Sequence, residues 1–150
     1  MPRPCPFCAI AAEDGEAHVV YEDAGVIAFL DRSPLAVGHV LLIPRAHVAT
    51  VWDADNATLA ALALGTRTLA VAVKSAMGAD GVFVAQNNIV SQSVPHLHVH
   101  IVPRRFKDGL FAHAMVWRRV KYAAGQMEEV AGEVRSNVLS PWERSGPVLP

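Results

Sequence analysis

Cysteine is scarce in this sequence of 150 residues: only two occur, Cys5 and Cys8, both close to the N-terminus. So small a number excludes the disulfide-rich frameworks that stabilise small secreted domains. The first residues contain no apolar run leading to a small-residue cleavage site, as a secretory signal would. We therefore expect a cytoplasmic protein, in which a Cys-x-x-Cys pair indicates metal binding or redox chemistry.

An excess of charge of one sign is also lacking, because 13 Lys and Arg residues are balanced by 14 Asp and Glu residues. This balance gives no reason to expect nucleic acid or a membrane surface as a partner. The longest apolar region, residues 57–73, is interrupted by Thr66, Arg67 and Thr68. We expect this region to be too short and too polar to span a bilayer.

Hydrophobic residues make up 52% of the chain, which is enough for one buried core. We expect a single domain over residues 1–150, with an irregular tail over residues 139–150. Apolar runs separated by turn residues predict five strands, over residues 18–21, 26–30, 39–43, 82–85 and 96–102. Two helices are predicted, over residues 57–77, with Asp53 or Asp55 as the cap, and over residues 126–138. Without regular βαβ alternation, these elements predict an α+β fold with a mainly antiparallel five-stranded sheet.

Three histidines alternate with apolar residues in the last predicted strand, which reads His-Leu-His-Val-His-Ile over residues 96–101. Side chains alternate between the two faces of a strand, so His96, His98 and His100 share one face. A half-buried strand whose polar face merely happens to be histidine is a poor explanation of so strict a pattern. Two functional interpretations remain open. The three imidazoles could bind a metal, or one neutral imidazole could attack phosphorus as a nucleophile.

The sequence at this point resembles the histidine triad (HIT) superfamily. The signature His-x-His-x-His followed by two apolar residues occupies residues 96–102. Supporting motifs appear in family order: Cys-Pro-Phe-Cys at 5–8, Ala-Phe-Leu-Asp at 28–31, Ser-Pro at 33–34, Gly-His at 38–39, Ile-Pro-Arg-Ala-His at 43–47 and Gln-Ser-Val at 92–94. The resemblance covers roughly residues 4–122, and the ordered set is far more specific than the triad alone.

The resemblance implies a nucleotide hydrolase or transferase that acts on the α-phosphate of an AMP-containing, purine nucleotide. It makes His98 the nucleophile, which forms a covalent nucleotidyl-histidine, and His100 the residue that supports charge and proton transfer. Gln92 and Ser93 match positions that contact the phosphate or the leaving group. The residues that match the nucleotide-binding positions are Phe7, Ile10 and Phe29 around the base, Asp31 at the ribose and Asn87 near the phosphate.

One loop departs from the family pattern, and three histidines outside the triad are not assigned to the site. The loop over residues 87–91 is shorter than is usual, and Ser91 stands where a glycine is common, so we expect a differently shaped phosphate loop. His113 is interpreted as a surface or partner-facing residue. His18 and His39 are interpreted as structural residues at strand ends.

The resemblance also implies a zinc site. Family members that carry the cysteine pair use two further ligands, which match His47 and His96 here and complete a set with Cys5 and Cys8. Two cysteines and two histidines form the tetrahedral set that zinc prefers, and four protein ligands leave no open position for a catalytic water. We therefore expect a structural Zn²⁺; two reduced thiols without a metal are the alternative.

Three functions are compatible with the sequence. The leading one is cleavage of nucleoside phosphoramidates or dinucleoside polyphosphates through His98. The alternatives are a zinc-dependent hydrolase that uses the triad as metal ligands, and a non-catalytic nucleotide-binding sensor module. The resemblance further implies a homodimer, and the apolar stripe of the long predicted helix is compatible with one.

Overall fold

Five strands form one antiparallel sheet in the computed structural model, which describes residues 4–111 and 118–139. The strands are β1 (Val19–Glu22), β2 (Val26–Leu30), β3 (Val40–Pro44), β4 (Gly81–Ala85) and β5 (Val99–Arg104). Their order across the sheet is β1-β2-β3-β5-β4, and every neighbouring pair is antiparallel. The predicted five-stranded α+β architecture is therefore confirmed. The position of His113 and that of the tail over residues 140–150 lie outside the described residues.

Within the described residues, three α-helices accompany the sheet: α1 (Pro6–Ala11), α2 (Asn56–Ala76) and α3 (Gln126–Ser136). Of the two candidate caps, Asp55 begins α2, because its carboxylate accepts the Thr58 backbone N–H at 2.7 Å. Asp53 instead ends a 3₁₀ turn, Val51–Asp53. The sequence did not predict α1. Its six residues are too short for a helical period to be visible, and it starts at a proline that needs no N–H partner.

The main core lies between the sheet and the two long helices. Leu69 and Val73 of α2 and Val134 of α3 are fully buried there against residues of the central strands. Gly65 sits where α2 comes closest to the sheet, since a Cβ at this position would lie 3.0 Å from Leu42 Cδ2. A glycine normally weakens a helix interior, and here it permits this close approach of helix and strand.

Helix α2 is longer than its apolar stretch indicated. With 21 residues, it has the length and the composition that a membrane span requires, so the expectation that this region is too short and too polar was wrong. Its packing accounts for one apolar face, because Leu62, Leu69 and Val73 belong to the core. Leu64 and Val71 are 57% and 46% exposed on the rest of its surface.

The strand that carries the triad begins later than predicted. β5 starts at Val99, whereas the residues before it leave the sheet: the Leu97 N–H donates to the Val48 carbonyl at 2.7 Å rather than to a strand. Leu97, Val99 and Ile101 nevertheless all belong to the core, as the alternation predicted. His100 therefore lies within β5, whereas His96 and His98 precede it.

Candidate active site

A pocket of about 1020 Å³ opens between α1, the ends of the central strands and the triad. It brings together seven of the nine residues that were predicted to bind or act on a nucleotide: Phe7, Ile10, Phe29, Asp31, Ser93, His98 and His100. Phe7 and Phe29 meet edge to face with ring centroids 5.4 Å apart, and together with Ile10 they give the pocket an apolar wall. The polar groups of the pocket include the imidazoles of His98 and His100 and the carboxylate of Asp31.

His98 is fixed in one orientation. Its Nδ1 lies 2.7 Å from the backbone carbonyl oxygen of His96 and must donate a hydrogen there. Burial lowers the pKa of His98, and this outweighs the carbonyl hydrogen bond and the Asp31 carboxylate, which both act to raise the pKa. The ring is therefore neutral at pH 7 with its proton on Nδ1, so Nε2 carries a lone pair. That nitrogen is suited to nucleophilic attack.

His100 is oriented by His39. The Leu35 backbone N–H donates to Nδ1 of His39 at 3.0 Å, so the proton of the neutral ring is on Nε2. Nε2 of His39 donates to Nδ1 of His100 at 2.9 Å, which places the remaining proton of His100 on its own Nε2. Burial, helped by His98 and the charge of Arg119, lowers the pKa of His100 to about 4. His100 is thus a neutral N–H donor on the wall of the pocket.

The Asp31 carboxylate forms a salt bridge with the guanidinium of Arg119. Nη1 of Arg119 donates to Asp31 Oδ2 at 2.9 Å and to the Ser33 carbonyl oxygen at 2.6 Å. The other oxygen, Oδ1, accepts the Ser33 backbone N–H at 2.9 Å. The residue after Arg119 is tied down as well, since the Val120 N–H donates to the Pro34 carbonyl at 2.8 Å. The segment that contains Arg119 and Val120 therefore helps to shape the site.

Two predicted residues do not line the pocket. The side chain of Gln92 holds its own loop together: Nε2 donates to the Ala49 carbonyl at 2.6 Å, and Oε1 accepts the Ile89 N–H at 3.0 Å. Asn87 is half-buried in the segment that precedes this loop. The loop is strained, because Ile89 and Ser91 have φ values of 68° and 62°. The left-handed backbone at Ser91 explains why a glycine suits this position.

The four predicted zinc ligands converge. The ligand atoms of Cys5, Cys8, His47 and His96 all lie within 4.8 Å of one another. Nδ1 of His96 is 3.5 Å and 3.7 Å from the two sulfurs, and Cys8 Sγ is 3.2 Å from Nδ1 of His47. Ligands at zinc distances in a tetrahedron are about 3.3–3.8 Å apart, so the spacing fits. Nε2 of His96 donates to the Pro44 carbonyl at 2.9 Å, which leaves Nδ1 as the coordinating nitrogen.

The three triad imidazoles do not form a common ligand set within the described ranges 4–111 and 118–139. His96 belongs to the cysteine cluster, whereas His100 lies near Asp31 and His39 in a second group of potential ligands. In that group both nitrogens of His39 are already used in hydrogen bonds, to Leu35 and to His100. The second group is therefore better described as a hydrogen-bonded chain than as a metal site.

Sequence reasoning missed two residues of this site. His39 was interpreted as a structural residue at a strand end, and it does lie directly before β3, but it also contacts His100. The Gly-His motif at 38–39 was the available signal for it. Arg119 had no signal, since nothing in the spacing relates it to Asp31, 88 residues earlier.

Comparison with known proteins agrees with this geometry. A model of the HIT domain matches residues 13–107 of the chain. An uncharacterised HIT-like protein of Mycobacterium tuberculosis is 36% identical over 119 residues, which are 77% of this chain and 83% of the relative. Adenylylsulfatase HINT3 of Arabidopsis thaliana is 29% identical over 138 residues, which are 91% of this chain and 70% of the relative.

Solved structures show the same fold. The crystal structure of a zinc-bound histidine triad family protein from Mycobacterium smegmatis has a TM-score of 0.76 and 34% sequence identity, and the match covers 89% of this chain and 92% of that one. Its bound zinc is consistent with the cluster of two cysteines and two histidines found here. The family match extends over more than half of the sequence, and the chain belongs to the HIT-domain family of nucleotide-binding hydrolases and transferases.

Proposed function

We propose that this protein cleaves the α-phosphate linkage of nucleoside phosphoramidates or dinucleoside polyphosphates through a covalent nucleotidyl-His98 intermediate. One observation carries the proposal: the hydrogen bond from Nδ1 of His98 to the His96 carbonyl, 2.7 Å long, which leaves a lone pair on Nε2. The ring lines the pocket and is neutral at pH 7, because burial lowers its pKa. A nucleophile of this kind requires no metal to activate it.

The lining of the pocket supports an AMP-containing substrate with a purine base. Phe7, Ile10 and Phe29 offer an apolar slot for the base. The Asp31 carboxylate would accept ribose hydroxyls, and only 13% of its side chain is exposed. A nucleotide held at both ends in this way would place its α-phosphate next to His98 and Ser93.

The reaction would proceed in two steps. Nε2 of His98 attacks the α-phosphorus, and the bond to the leaving group breaks with its electron pair going to that group. The Nε2–H of His100 donates a hydrogen bond to the phosphate, and the leaving group takes up its proton from solvent water. Water, or another acceptor with a proton, then attacks the phosphorus, breaks its bond to Nε2 of His98, releases the nucleotide and gives up its proton to solvent. Ser93 adds a hydroxyl at the phosphate, whereas the catalytic role of Gln92 and the phosphate contact of Asn87 remain predictions.

A zinc ion in the Cys2His2 cluster would hold α1 and His96 in place. Phe7 lies between the two cysteines, and its ring centroid is 5.3 Å from that of His98. The cluster therefore supports both the base slot and the carbonyl that orients the nucleophile. Four protein ligands leave no position for a substrate, so we propose that the zinc is structural.

The two alternatives make different predictions. A zinc-dependent hydrolase that uses the triad as ligands would form no nucleotidyl-protein intermediate, and a strong chelator would abolish its chemistry directly. A sensor module would bind AMP with negligible turnover. The separation of His96 from His98 and His100 disfavours the first alternative, and the oriented nitrogen of His98 disfavours the second.

The test is His98→Ala, assayed with adenosine 5′-phosphoramidate and diadenosine polyphosphates. We expect the variant to lose turnover at least about a thousandfold and to bind AMP with an affinity within a few-fold of wild type by calorimetry. Unchanged turnover would refute the proposal. Loss of AMP binding together with turnover would show a collapsed site instead, and a melting curve distinguishes the two.

We also propose a homodimer that uses α2 and the edge strand β4. Leu64, Val71 and Val84 are 57%, 46% and 43% exposed, and β4 has a partner strand on one side only among the described residues. Light scattering should give twice the mass of 16.1 kDa, and Val71→Glu should lower it. A monomeric wild-type protein would contradict this proposal.

We propose a cytoplasmic location because both cysteines are free thiols. Cys5 and Cys8 are not joined in a disulfide and instead form part of a zinc-ligand set, which suits a reducing compartment. Fractionation of cells that express the tagged chain tests this, and recovery from the oxidising compartment or the membrane fraction would contradict it.

A further inference from the structure

We propose that the pocket continues into an anion subsite at its ribose end, formed by Arg32 and Lys121, which takes nucleotides that carry a phosphate on the 2′ or 3′ oxygen of the ribose. This inference rests on the proposed function, because it uses Asp31 to mark the position of the ribose. It concerns residues outside the triad, the base slot and the zinc cluster.

The cavity extends past the ribose position. A groove of about 480 Å³ adjoins the main pocket, and the two share His18, Arg32 and Met127 in their walls. The main pocket alone, at about 1020 Å³, reaches the top of the range of roughly 300–1,000 Å³ that is usual for small-ligand sites. Space therefore remains for a substituent beyond a simple nucleoside monophosphate.

The groove lies where a ribose substituent would point. The 5′ side of a bound nucleotide must reach His98, whereas the 2′ and 3′ oxygens meet Asp31 at the other end. Arg32 follows Asp31 directly in the chain. Lys121 approaches from the other wall, on the segment that is tied to Pro34 by the Val120 N–H, 2.8 Å from the Pro34 carbonyl. A phosphate attached to either oxygen would enter between these two walls.

The carboxylates in this region are largely neutralised already. The Asp31 carboxylate is 2.9 Å from Nη1 of Arg119, and that of Glu128 is 2.9 Å from Nη2 of Arg135. A phosphate next to Asp31 would therefore not meet an isolated negative charge. The remaining carboxylate in the wall is that of Glu16, which forms no salt bridge with any described residue.

Arg32 and Lys121 are the available cations. Among the described residues, no carboxylate lies within 4 Å of either of them. Arg32 is nevertheless positioned, because its Nη2 donates to the Glu16 backbone carbonyl at 2.5 Å. A guanidinium has five N–H donors, and so one backbone contact leaves donors for phosphate oxygens. Such an arrangement binds an anion through charge-assisted hydrogen bonds.

Calorimetric titration of the full chain with three probes tests the inference: AMP, adenosine 3′,5′-bisphosphate and adenosine 2′,5′-bisphosphate. We expect at least one bisphosphate to bind about fivefold to tenfold more tightly than AMP at low salt, and the advantage to shrink as salt is added. The bisphosphate with the larger gain in affinity identifies which ribose oxygen, 2′ or 3′, carries the phosphate. In the double variant Arg32→Gln/Lys121→Gln the advantage should disappear. Lys74→Gln, which removes a charge from the exposed surface of α2, should preserve it.

Each other outcome contradicts the inference. Equal affinities for all three probes would show that the groove takes no ribose phosphate. An advantage that persists in the double variant would show that Arg32 and Lys121 do not cause it. In both cases intact AMP binding would leave the proposed function standing, whereas the absence of binding for all three probes would overturn both proposals.

Discussion

Nε2 of His39 lies 2.9 Å from Nδ1 of His100, and both rings are almost completely buried. Since the Leu35 N–H occupies the other nitrogen of His39, the direction of this hydrogen bond is fixed. It sets the tautomer in which His100 presents an N–H to the pocket. A residue that contacts no substrate thereby controls the donor that the proposed reaction needs.

We predict that His39→Leu lowers kcat roughly 10- to 100-fold with little change in AMP affinity, because His100 loses the group that holds its tautomer. His39→Gln should recover much of the rate, since its amide can donate a hydrogen from a similar position. Steady-state kinetics with a nucleoside phosphoramidate measure both. Equal rates in the two variants would show that His39 only fills space, provided that their melting temperatures match.

The fold was predictable where one element carries a clear pattern. The bounds of β2 and the cap of α2 at Asp55 follow from the apolar run and from a carboxylate before a helical period. The start of the triad strand was not predictable, because the Leu97 N–H bonds to Val48 in a distant loop. Alternation cannot show where a chain leaves its sheet.

The residues of the site could be predicted where they belong to a sequence motif of the family. The convergence of Cys5 and Cys8 on His47 and His96 came from the resemblance rather than from spacing. The contact between Arg119 and Asp31 joins residues 88 positions apart and lies outside the region that the family model covers. Such a contact depends on how the chain returns across the sheet, which local patterns do not encode.

Acid should destabilise the protein through its buried histidines. Burial lowers the pKa of His100 from 6.5 to about 4 in the folded state, with His98 and Arg119 facing it and His39 on its Nδ1. The unfolded chain then binds more protons between these two values. The stabilisation is complete above pH 6.5, and on the order of 3 kcal/mol is lost as the pH falls to about 4.

Urea unfolding between pH 7 and pH 4.5 checks this prediction, with His100→Gln as the comparison. The free energy of unfolding of the wild type should fall more steeply with acid than that of the variant, which lacks the titrating ring. Carboxylates such as Asp23 contribute to both proteins and cancel in the difference. If the free energies of unfolding of the two proteins fell in parallel with pH, the lowered pKa of His100 would be contradicted.

Disrupting the metal cluster should cost stability more than chemistry. We predict that Cys5→Ser abolishes stoichiometric zinc and lowers the melting temperature by at least about 5 °C, while the rate of the folded fraction changes less. Elemental analysis and calorimetry measure the two effects. A chelator should destabilise the wild type and leave the variant unchanged. A variant with the melting temperature of the wild type would remove the case for a structural zinc.

The strained loop offers a stabilising substitution. Ser91 has a φ of 62°, a conformation that costs a residue with a Cβ about 1–2 kcal/mol and costs glycine little. When the entropy cost of ordering a glycine is subtracted from the strain that is relieved, Ser91→Gly should stabilise the protein by about 0.5–1 kcal/mol. Denaturant unfolding measures this, with Ser91→Ala as the control because alanine keeps the strain. A gain in the alanine variant or none in the glycine variant would contradict it.

Covalent catalysis by His98 can be observed by intact-protein mass spectrometry of rapidly quenched reactions. Wild-type protein mixed with adenosine 5′-phosphoramidate or a diadenosine polyphosphate should gain the mass of one adenylyl group, and peptide mapping should place that group on His98. His98→Ala should turn over neither substrate and gain no such mass. Turnover by the wild type with an adduct that maps to another residue, or turnover by His98→Ala, would show that His98 is not the nucleophile.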